Sequence, residues 1–303
     1  MTELTDFQKQ ISALRPHVQM RFNEPMAKHT SFRIGGPAEV MAFPASVQAL
    51  AEVWQAAAQL QISPAILGAG TNVLAPDEGL SGLCICLKDA LDGMELLENY
   101  RIRVMAGVTM TRAAVFAANH GLSGMEFAHG IPGTVGGGVY MNAGAYGSEI
   151  RDICESVDVM DPAGNVKTLN NAEMEFSYRH SRLEEDGGIV VSAVFRLTPA
   201  NTEEIKAKMK ELQSKRSASQ PLDLPSAGSA FKRPVGGYAA ALIDQAGLKG
   251  FTVGGAAIST KHAGFAVNLG GATAEDVKTL LQQVSDRVYE NSGIRLEPEV
   301  RIW

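Results

Sequence analysis

Cysteine and histidine are few in this chain, and each shortage excludes something. Three cysteines, Cys84, Cys86 and Cys154, are too few for a disulfide framework and form no CxxC pair. On a strand Cys84 and Cys86 would share one face, so they read as buried free thiols suited to a reducing cytoplasm. The six histidines are dispersed with none at metal-ligand spacing, and neither a zinc nor an iron site is expected. No serine stands in a GxSxG elbow, which argues against that type of hydrolase. Apolar runs stop well short of a membrane span, and the opening MTELTDFQKQISAL has acidic and polar residues where a secretory leader needs basic and then apolar ones. The net charge is -6 with Lys and Arg scattered, so neither nucleic acid nor a membrane surface is an expected partner.

Glycine, in contrast, is plentiful and locally concentrated. The stretch Gly130 to Gly147, GIPGTVGGGVYMNAGAYG, holds seven glycines in eighteen residues, against an average of about one in fourteen. A flexible linker would be featureless and Ser-rich, whereas here Pro132, Asn142 and Tyr146 interrupt the glycines. Two readings stay open at this point: a tight set of buried turns, or an ordered backbone surface that meets a ligand.

A chain of 303 residues suggests about two domains, and 45% hydrophobic with 20% charged residues is ordinary for a globular protein. After an N-terminal helical segment, Thr30 to Phe43 reads extended around a Gly35-Gly36 turn. Ser46 can cap a helix carrying Val47, Leu50, Ala51, Trp54, Ala57 and Ala58 at helical spacing, with strands at Met41 to Phe43 and Ala65 to Leu67 on either side. Further strands are expected at Leu83 to Leu87 and Ile102 to Met105, and a helix at Thr111 to Asn119. Ile153 to Met160 and Val166 to Leu169 flank Asp161-Pro162-Ala163-Gly164-Asn165 as a hairpin, and Ile189 to Leu197 is apolar enough for burial on both faces. Thr202 is placed to cap a Lys/Glu-rich helix reaching Arg216, and the composition shift puts the main domain boundary near Pro199. Beyond it come a helix at Ala239 to Ala246, strands at Gly250 to Val253 and Gly264 to Leu269, a helix with Val277, Leu280, Leu281, Val284 and Val288 on its apolar face, and an extended end from Ile294.

Gly68-Ala69-Gly70-Thr71-Asn72 follows a strand, the usual place for a phosphate-gripping turn. Val73 replaces the third glycine of GxGxxG and no helix follows, so the dinucleotide fingerprint fails. An ordinary turn is one explanation. The other is that this turn and Gly130 to Gly147 hold the two ends of one dinucleotide. Three polar clusters remain, each open to a bland account as loop, cap or solvated strand end. They are Phe176 to Ser181 around Tyr178 and Arg179; Ala227 to Pro234, where Lys232 and Arg233 suit a phosphate-bearing ligand; and Leu296 to Arg301, where an extended chain would put Glu297 and Glu299 on one side.

HTSFRIGG from His29, LGAGTNVL, the Gly130 to Gly147 segment, YRHS, GSAFKRP, KHAGFAVN and LEPEVR occur together and in that order. In this the chain resembles the UDP-N-acetylenolpyruvoylglucosamine reductase family, the flavoenzymes of peptidoglycan precursor synthesis, over nearly its whole length. The resemblance implies an α+β architecture: a two-subdomain FAD-binding fold of the vanillyl-alcohol-oxidase type, then a smaller α+β substrate domain. The corresponding ranges are 1–87, with the strand at 298–303 able to join it, 88–198, and 199–303. It further implies NADPH-dependent reduction of UDP-N-acetylglucosamine enolpyruvate to UDP-N-acetylmuramate. One shared site would serve NADPH and substrate in turn, and FAD would be non-covalent because neither glycine-rich motif carries a tethering His or Cys.

Carried over by position, Ser229 matches the proton donor, Arg179 the cation at the substrate carboxylate and Glu299 its carboxyl partner, protonated if burial raises its pKa. Gly68, Ala69, Gly70, Thr71, Asn72, Ile131, Pro132, Gly133, Thr134, Gly136, Gly137, Asn142, Gly144, Ala145 and Tyr146 are the cofactor-binding candidates. Tyr178, Lys232, Arg233, Lys261, His262 and Asn268 are the substrate-binding ones. Arg233 departs from the Asn of many relatives, and the short connection from Arg179 to Ser229 fits the branch without the substrate-covering tyrosine loop. The expected protein is a cytoplasmic monomer whose partner is a UDP-linked amino-sugar enolpyruvyl ether. A flavin oxidase on the same scaffold, or a flavin- or nucleotide-binding module without turnover, are the alternatives. GSAFKRP with LEPEVR, and the intact Ser229, Arg179 and Glu299, argue against them in turn.

Overall fold

The computed structural model describes residues 4–303. The chain divides into two compact units, each built from discontinuous segments. The first takes the chain up to Phe22, Glu39–Ala69 and Gly82–Lys215; the second takes Asn23–Ala38, Gly70–Ser81 and Arg216–Trp303. This partition differs from the expected break near Pro199. The helix that begins there runs on without interruption from Thr202 to Ser219, and two short early segments pack with the C-terminal part.

The first unit contains an antiparallel five-stranded sheet in the order Val166–Asn170, Cys154–Met160, Ile189–Arg196, Arg101–Met105, Met94–Leu97. Ile189–Arg196 is its central strand and is buried at every position except Arg196, as a run that is apolar apart from Ser192 requires. A second sheet, most of whose residues belong to this unit, has the order Gln19–Pro25, Pro37–Phe43, Leu80–Cys86, Ala65–Leu67. Leu80–Cys86 lies between the two strands that flank the helix Val47–Gln59, so those strands are not direct neighbours. Its parallel register with the last of them pairs Leu67 with Cys86, and that strand delivers the chain into Gly68.

Ser46 caps the helix Val47–Gln59 by accepting from Ala49 N. The Lys/Glu-rich helix is capped one residue earlier than expected: Asn201 Oδ1 accepts from the amides of Glu203 and Glu204 at 2.8 and 3.3 Å. Asn is the stronger cap, and Thr202 becomes the first helical residue.

The second unit contains a three-stranded antiparallel sheet, Thr252–Val253, Ala256–Ile258 and Ala266–Asn268, with the helices Ala239–Gln245 and Ala274–Ser292. Val277, Leu280, Leu281, Val284 and Val288 form the buried stripe of the long helix, and Phe32, Ile34 and Leu74 join the same core. Arg301–Ile302 adds in parallel beside Val73–Leu74. The strand Ala256–Ile258, with two alanines and a Gly-Gly before it, lacks the β-branched alternation that marks strands in a sequence.

Candidate active site

Within the first unit, the glycine-rich segment builds a short helix, Val135–Tyr140, where sequence reasoning saw only turns and surface. Thr134 caps it, its Oγ1 accepting from Gly137 N at 3.4 Å. Backbone bonds anchor its start: Met110 N to Gly133 O at 3.0 Å, Val135 N to Val108 O at 2.8 Å and Gly136 N to Ala106 O at 2.9 Å. The glycines then divide by role. A Cβ at Gly136 would stand 2.9 Å from Ala106 Cβ, and one at Gly138 2.8 Å from Met110 Sδ; both glycines let the helix pack onto the protein. Gly137 and Pro132 are exposed, and a Cβ at Gly137 would meet only Thr134 Oγ1, at 3.8 Å.

The two glycine-rich stretches do come together. A Cβ at Gly68 would lie 2.5 Å from Thr134 Oγ1, so the end of the Ala65–Leu67 strand abuts the cap of the glycine helix. Downstream, Gly144–Ala145 pairs with Ser148–Glu149. The tight connection has φ of +57° at Tyr146 and +87° at Gly147, as a two-residue hairpin demands. Tyr146 is a bulky residue for that conformation, and its hydroxyl donates to Leu212 O at 3.2 Å.

Asn142 and Arg179 belong to one construction. Ser177 and His180 exchange backbone bonds of 3.1 and 3.2 Å, leaving Tyr178 and Arg179 as the two residues of a tight turn. Arg179 has φ +57°, which costs an L-residue on the order of 1 kcal/mol, and its guanidinium carbon lies 5.0 Å from the Tyr178 ring centroid. Asn142, completely buried, donates through Nδ2 to Ser177 O at 2.9 Å and accepts through Oδ1 from Arg151 N at 2.9 Å.

In the second unit, Gly70 has φ +60° and sits against His29, a Cβ there being 2.1 Å from His29 O. Ser31 N donates to Gly70 O at 3.0 Å, and Ser31 Oγ reaches Ser226 O at 2.6 Å. Asn72 Nδ2 donates to Glu299 O at 3.1 Å. The HTSF segment therefore supports this turn, a function its sequence alone did not disclose.

Ser229 and Glu299 lie on neighbouring extended segments. Ser229 bridges Phe265, Phe231 bridges Pro298, and Glu299 N donates to Ala230 O at 2.9 Å, which sets Glu299 opposite Ala230 and one residue from Ser229. Ser229 is exposed. Glu297 and Glu299 differ sharply, the Glu297 side chain being 71% exposed and ion-paired with Lys232, whereas Glu299 retains only 9% exposure.

The Arg233 guanidinium stacks 4.1 Å from the Tyr238 ring centroid. Lys261 Nζ donates to Ser217 O at 2.7 Å. His262 Nδ1 accepts from Gly264 N at 3.1 Å, leaving Nε2 to carry the ring proton, and burial above all pushes its pKa below the ordinary value. Asn268 is 6% exposed, its amide bonded to Phe32 O and to the amides of Gly270 and Ala272, which makes it the organiser of a turn.

Residues 38–170 match the family described as FAD binding domain, and residues 220–303 match UDP-N-acetylenolpyruvoylglucosamine reductase, C-terminal domain. A UDP-N-acetylenolpyruvoylglucosamine reductase of Caldanaerobacter subterraneus subsp. tengcongensis is 47% identical, with 94% of this chain and 93% of that protein covered. One from Agathobacter rectalis is 44% identical with 98% of each covered. The chain belongs to the UDP-N-acetylenolpyruvoylglucosamine reductase family. The crystal structure of a family member from Thermus caldophilus superposes with a TM-score of 0.77 at 35% identity, covering 95% of this chain and 99% of that one. Kinship with UDP-N-acetylenolpyruvoylglucosamine reductases thus extends across 171–219, the stretch that contains Arg179 and that neither domain match covers.

An FAD-binding fold makes specific demands on these residues, and they fit. Gly68 packs directly on Thr134 Oγ1, where a Cβ would clash, and Gly137 offers exposed backbone beside that threonine. His129 Nδ1, next to Gly130, is buried without a hydrogen-bond partner. Buried polar atoms are nearly always paired, so it is suited to a polar edge of a bound group. Sequence reasoning passed over His129, since nothing in its surroundings sets it apart from a loop histidine. Among the described residues no group of three or more His, Cys, Asp and Glu could hold a metal ion, and no helix is long and apolar enough to cross a membrane.

Proposed function

We propose that this protein reduces UDP-N-acetylglucosamine enolpyruvate to UDP-N-acetylmuramate, with NADPH as reductant and non-covalent FAD as carrier. The observation that carries this reading is kinship with the reductases at 44 to 47% identity over nearly the whole chain, and Ser229, Arg179 and Glu299 stand in the motifs that resemble that family's. The chemistry FAD supplies when bound is hydride carriage between NADPH and the enolpyruvyl double bond.

Gly68, Ala69, Thr134 and Gly137 are the chain's natural holders of that cofactor, because backbone amides at glycine can approach an anionic group closely. Arg179 is assigned to the substrate carboxylate, where negative charge grows as hydride arrives at the methylene carbon; stabilising charge that develops only in the transition state is a large catalytic effect. Ser229, with an exposed hydroxyl on a segment pinned at both edges, is assigned to deliver the proton to the adjacent carbon. Glu299 is assigned to hold the enolate oxygen through a hydrogen bond. Tyr178, Lys232, Arg233, Lys261 and His262 are retained as substrate contacts, with Lys232 exchanging its partner Glu297 for a phosphate. We further propose that the enzyme works in the cytoplasm as a monomer, in keeping with its three buried thiols.

The test is rapid mixing of the flavin-loaded enzyme with NADPH and then with the enolpyruvyl substrate. Wild type is expected to reduce its flavin and reoxidise it only when substrate is added. Ser229→Ala is expected to keep the first step and slow the second by about 10²-fold or more. Reoxidation by oxygen alone would favour an oxidase.

A further inference from the structure

We infer that Asn142, together with Ser181, is a positioning residue for Arg179: the two side chains clamp the Tyr178–Arg179 turn to the end of the glycine-rich helix. The inference rests on the proposed role of Arg179 at the substrate carboxylate.

The turn is small and strained. Its two backbone bonds, Ser177 N to His180 O and His180 N to Ser177 O, are 3.1 and 3.2 Å long, and Arg179 is held at φ +57°. Such a conformation persists only when its surroundings impose it. Two completely buried side chains do so from either flank. Before the turn, Asn142 Nδ2 donates at 2.9 Å to Ser177 O, the same carbonyl that closes the turn. After it, Ser181 Oγ donates at 2.6 Å to Tyr140 O, the last residue of the glycine helix.

Both ends of the Asn142 amide are engaged, because Oδ1 accepts from Arg151 N at 2.9 Å. A backbone role alone would not require asparagine. Asn142 has φ +46° just beyond the helix end, a position that glycine fills better. What asparagine adds is one donor and one acceptor at the correct separation, so that the segment read as a cofactor wall also fixes the backbone from which the guanidinium projects. A displacement of about 1 Å in such a group can cost roughly 10²-fold in rate.

Asn142→Gly keeps the left-handed backbone and removes only the amide; Ser181→Ala removes the other clamp without touching the helix. Both variants, with Arg179→Ala and the Asn142→Gly/Arg179→Ala double variant, are purified with flavin and followed through the two half-reactions. For Asn142→Gly and Ser181→Ala the expected result is full flavin content, NADPH reduction within about twofold of wild type, and reoxidation by the enolpyruvyl substrate slowed by about 10- to 100-fold. The double variant should be no slower than Arg179→Ala alone. Flavin loss or slow NADPH reduction in Asn142→Gly would return this residue to cofactor binding and overturn the clamp, as would full additivity in the double variant. A slow Arg179→Ala enzyme beside unimpaired Asn142→Gly and Ser181→Ala enzymes would sink the clamp alone. An Arg179→Ala enzyme that reoxidises at the parental rate would remove the role of Arg179 itself, and the clamp with it.

Discussion

Glu297 and Glu299 show how two identical side chains, two residues apart, acquire different chemistry. Alternation along an extended segment would put both on one side, and nothing in LEPEVR ranks one above the other. The fold separates them: Glu297 is solvated and neutralised by Lys232, while Glu299 is drawn into a buried position opposite Ala230. The role proposed for Glu299 is that of a carboxylic acid donating a hydrogen bond to the enolate. Glutamine preserves that donor. Glu299→Gln should therefore reoxidise its flavin with substrate at close to the wild-type rate, whereas Glu299→Ala should be slowed by about 10²-fold; abolished turnover in the glutamine variant would require the ionised form instead.

Burial sets the chemistry of the three thiols. Burial pushes Cys154 up to about 12, and Cys84 and Cys86 are also raised by burial. A thiol raised in the folded state keeps its proton while the unfolded chain ionises. Its stabilisation is complete below the unfolded value near 9 and is lost as pH climbs from there to about 12. The expected slope is at most about 1.4 kcal/mol per pH unit per thiol. Urea midpoints measured from pH 8 to 11 should fall less steeply for Cys154→Ala than for wild type, and equal slopes would contradict the buried neutral thiol.

At the scale of elements, the motifs were visible in the sequence but one of their conformations was not. The glycine-rich stretches, the hairpin around Gly164 and the apolar stripe of Ala274–Ser292 are legible from composition, turn chemistry and periodicity. The helix through VGGGVY does not, because each glycine costs about 1 kcal/mol against alanine in a helix, so local propensity points away from it. Tertiary packing reverses that preference, since only glycine allows the approach to Ala106 and Met110. The two adjacent glycines should then respond in opposite ways. Gly136→Ala forces its Cβ against Ala106 and should destabilise the protein by about 1–3 kcal/mol. Gly137→Ala meets only Thr134 Oγ1, at an ordinary contact distance, and should stabilise the flavin-free protein by about 0.5–1 kcal/mol, yet weaken flavin binding if that backbone approaches the cofactor. Denaturant melts with and without FAD read both effects. Equal destabilisation in the two variants would mean that both glycines serve packing alone.

At the scale of the whole molecule, sequence composition was a poor guide to which segments fold together. The change in character at Pro199 is real, but the C-terminal unit draws on residues 23–38 and 70–81 as well, and contacts across such sequence distances leave no local pattern to read. These early segments supply parts the later one cannot replace. Phe32, Ile34 and Leu74 sit in the core of that unit, each no more than 3% exposed. Val73–Leu74 is the strand partner of Arg301–Ile302, and the carboxylate of Asp77 accepts from the amides of Ala274 and Glu275 at the start of the long helix. Fully burying a side chain of this size contributes about 1.5–3 kcal/mol, so loss of three removes an amount comparable with the net stability of a small domain. A fragment spanning residues 216–303 should accordingly show helical circular dichroism from Ala274–Ser292 but no cooperative thermal transition. The full chain should unfold cooperatively under the same conditions. A sharp transition in the isolated fragment would show that the discontinuous segments decorate an autonomous domain, and the early motif HTSFRIGG would then owe its place to the site rather than to the core.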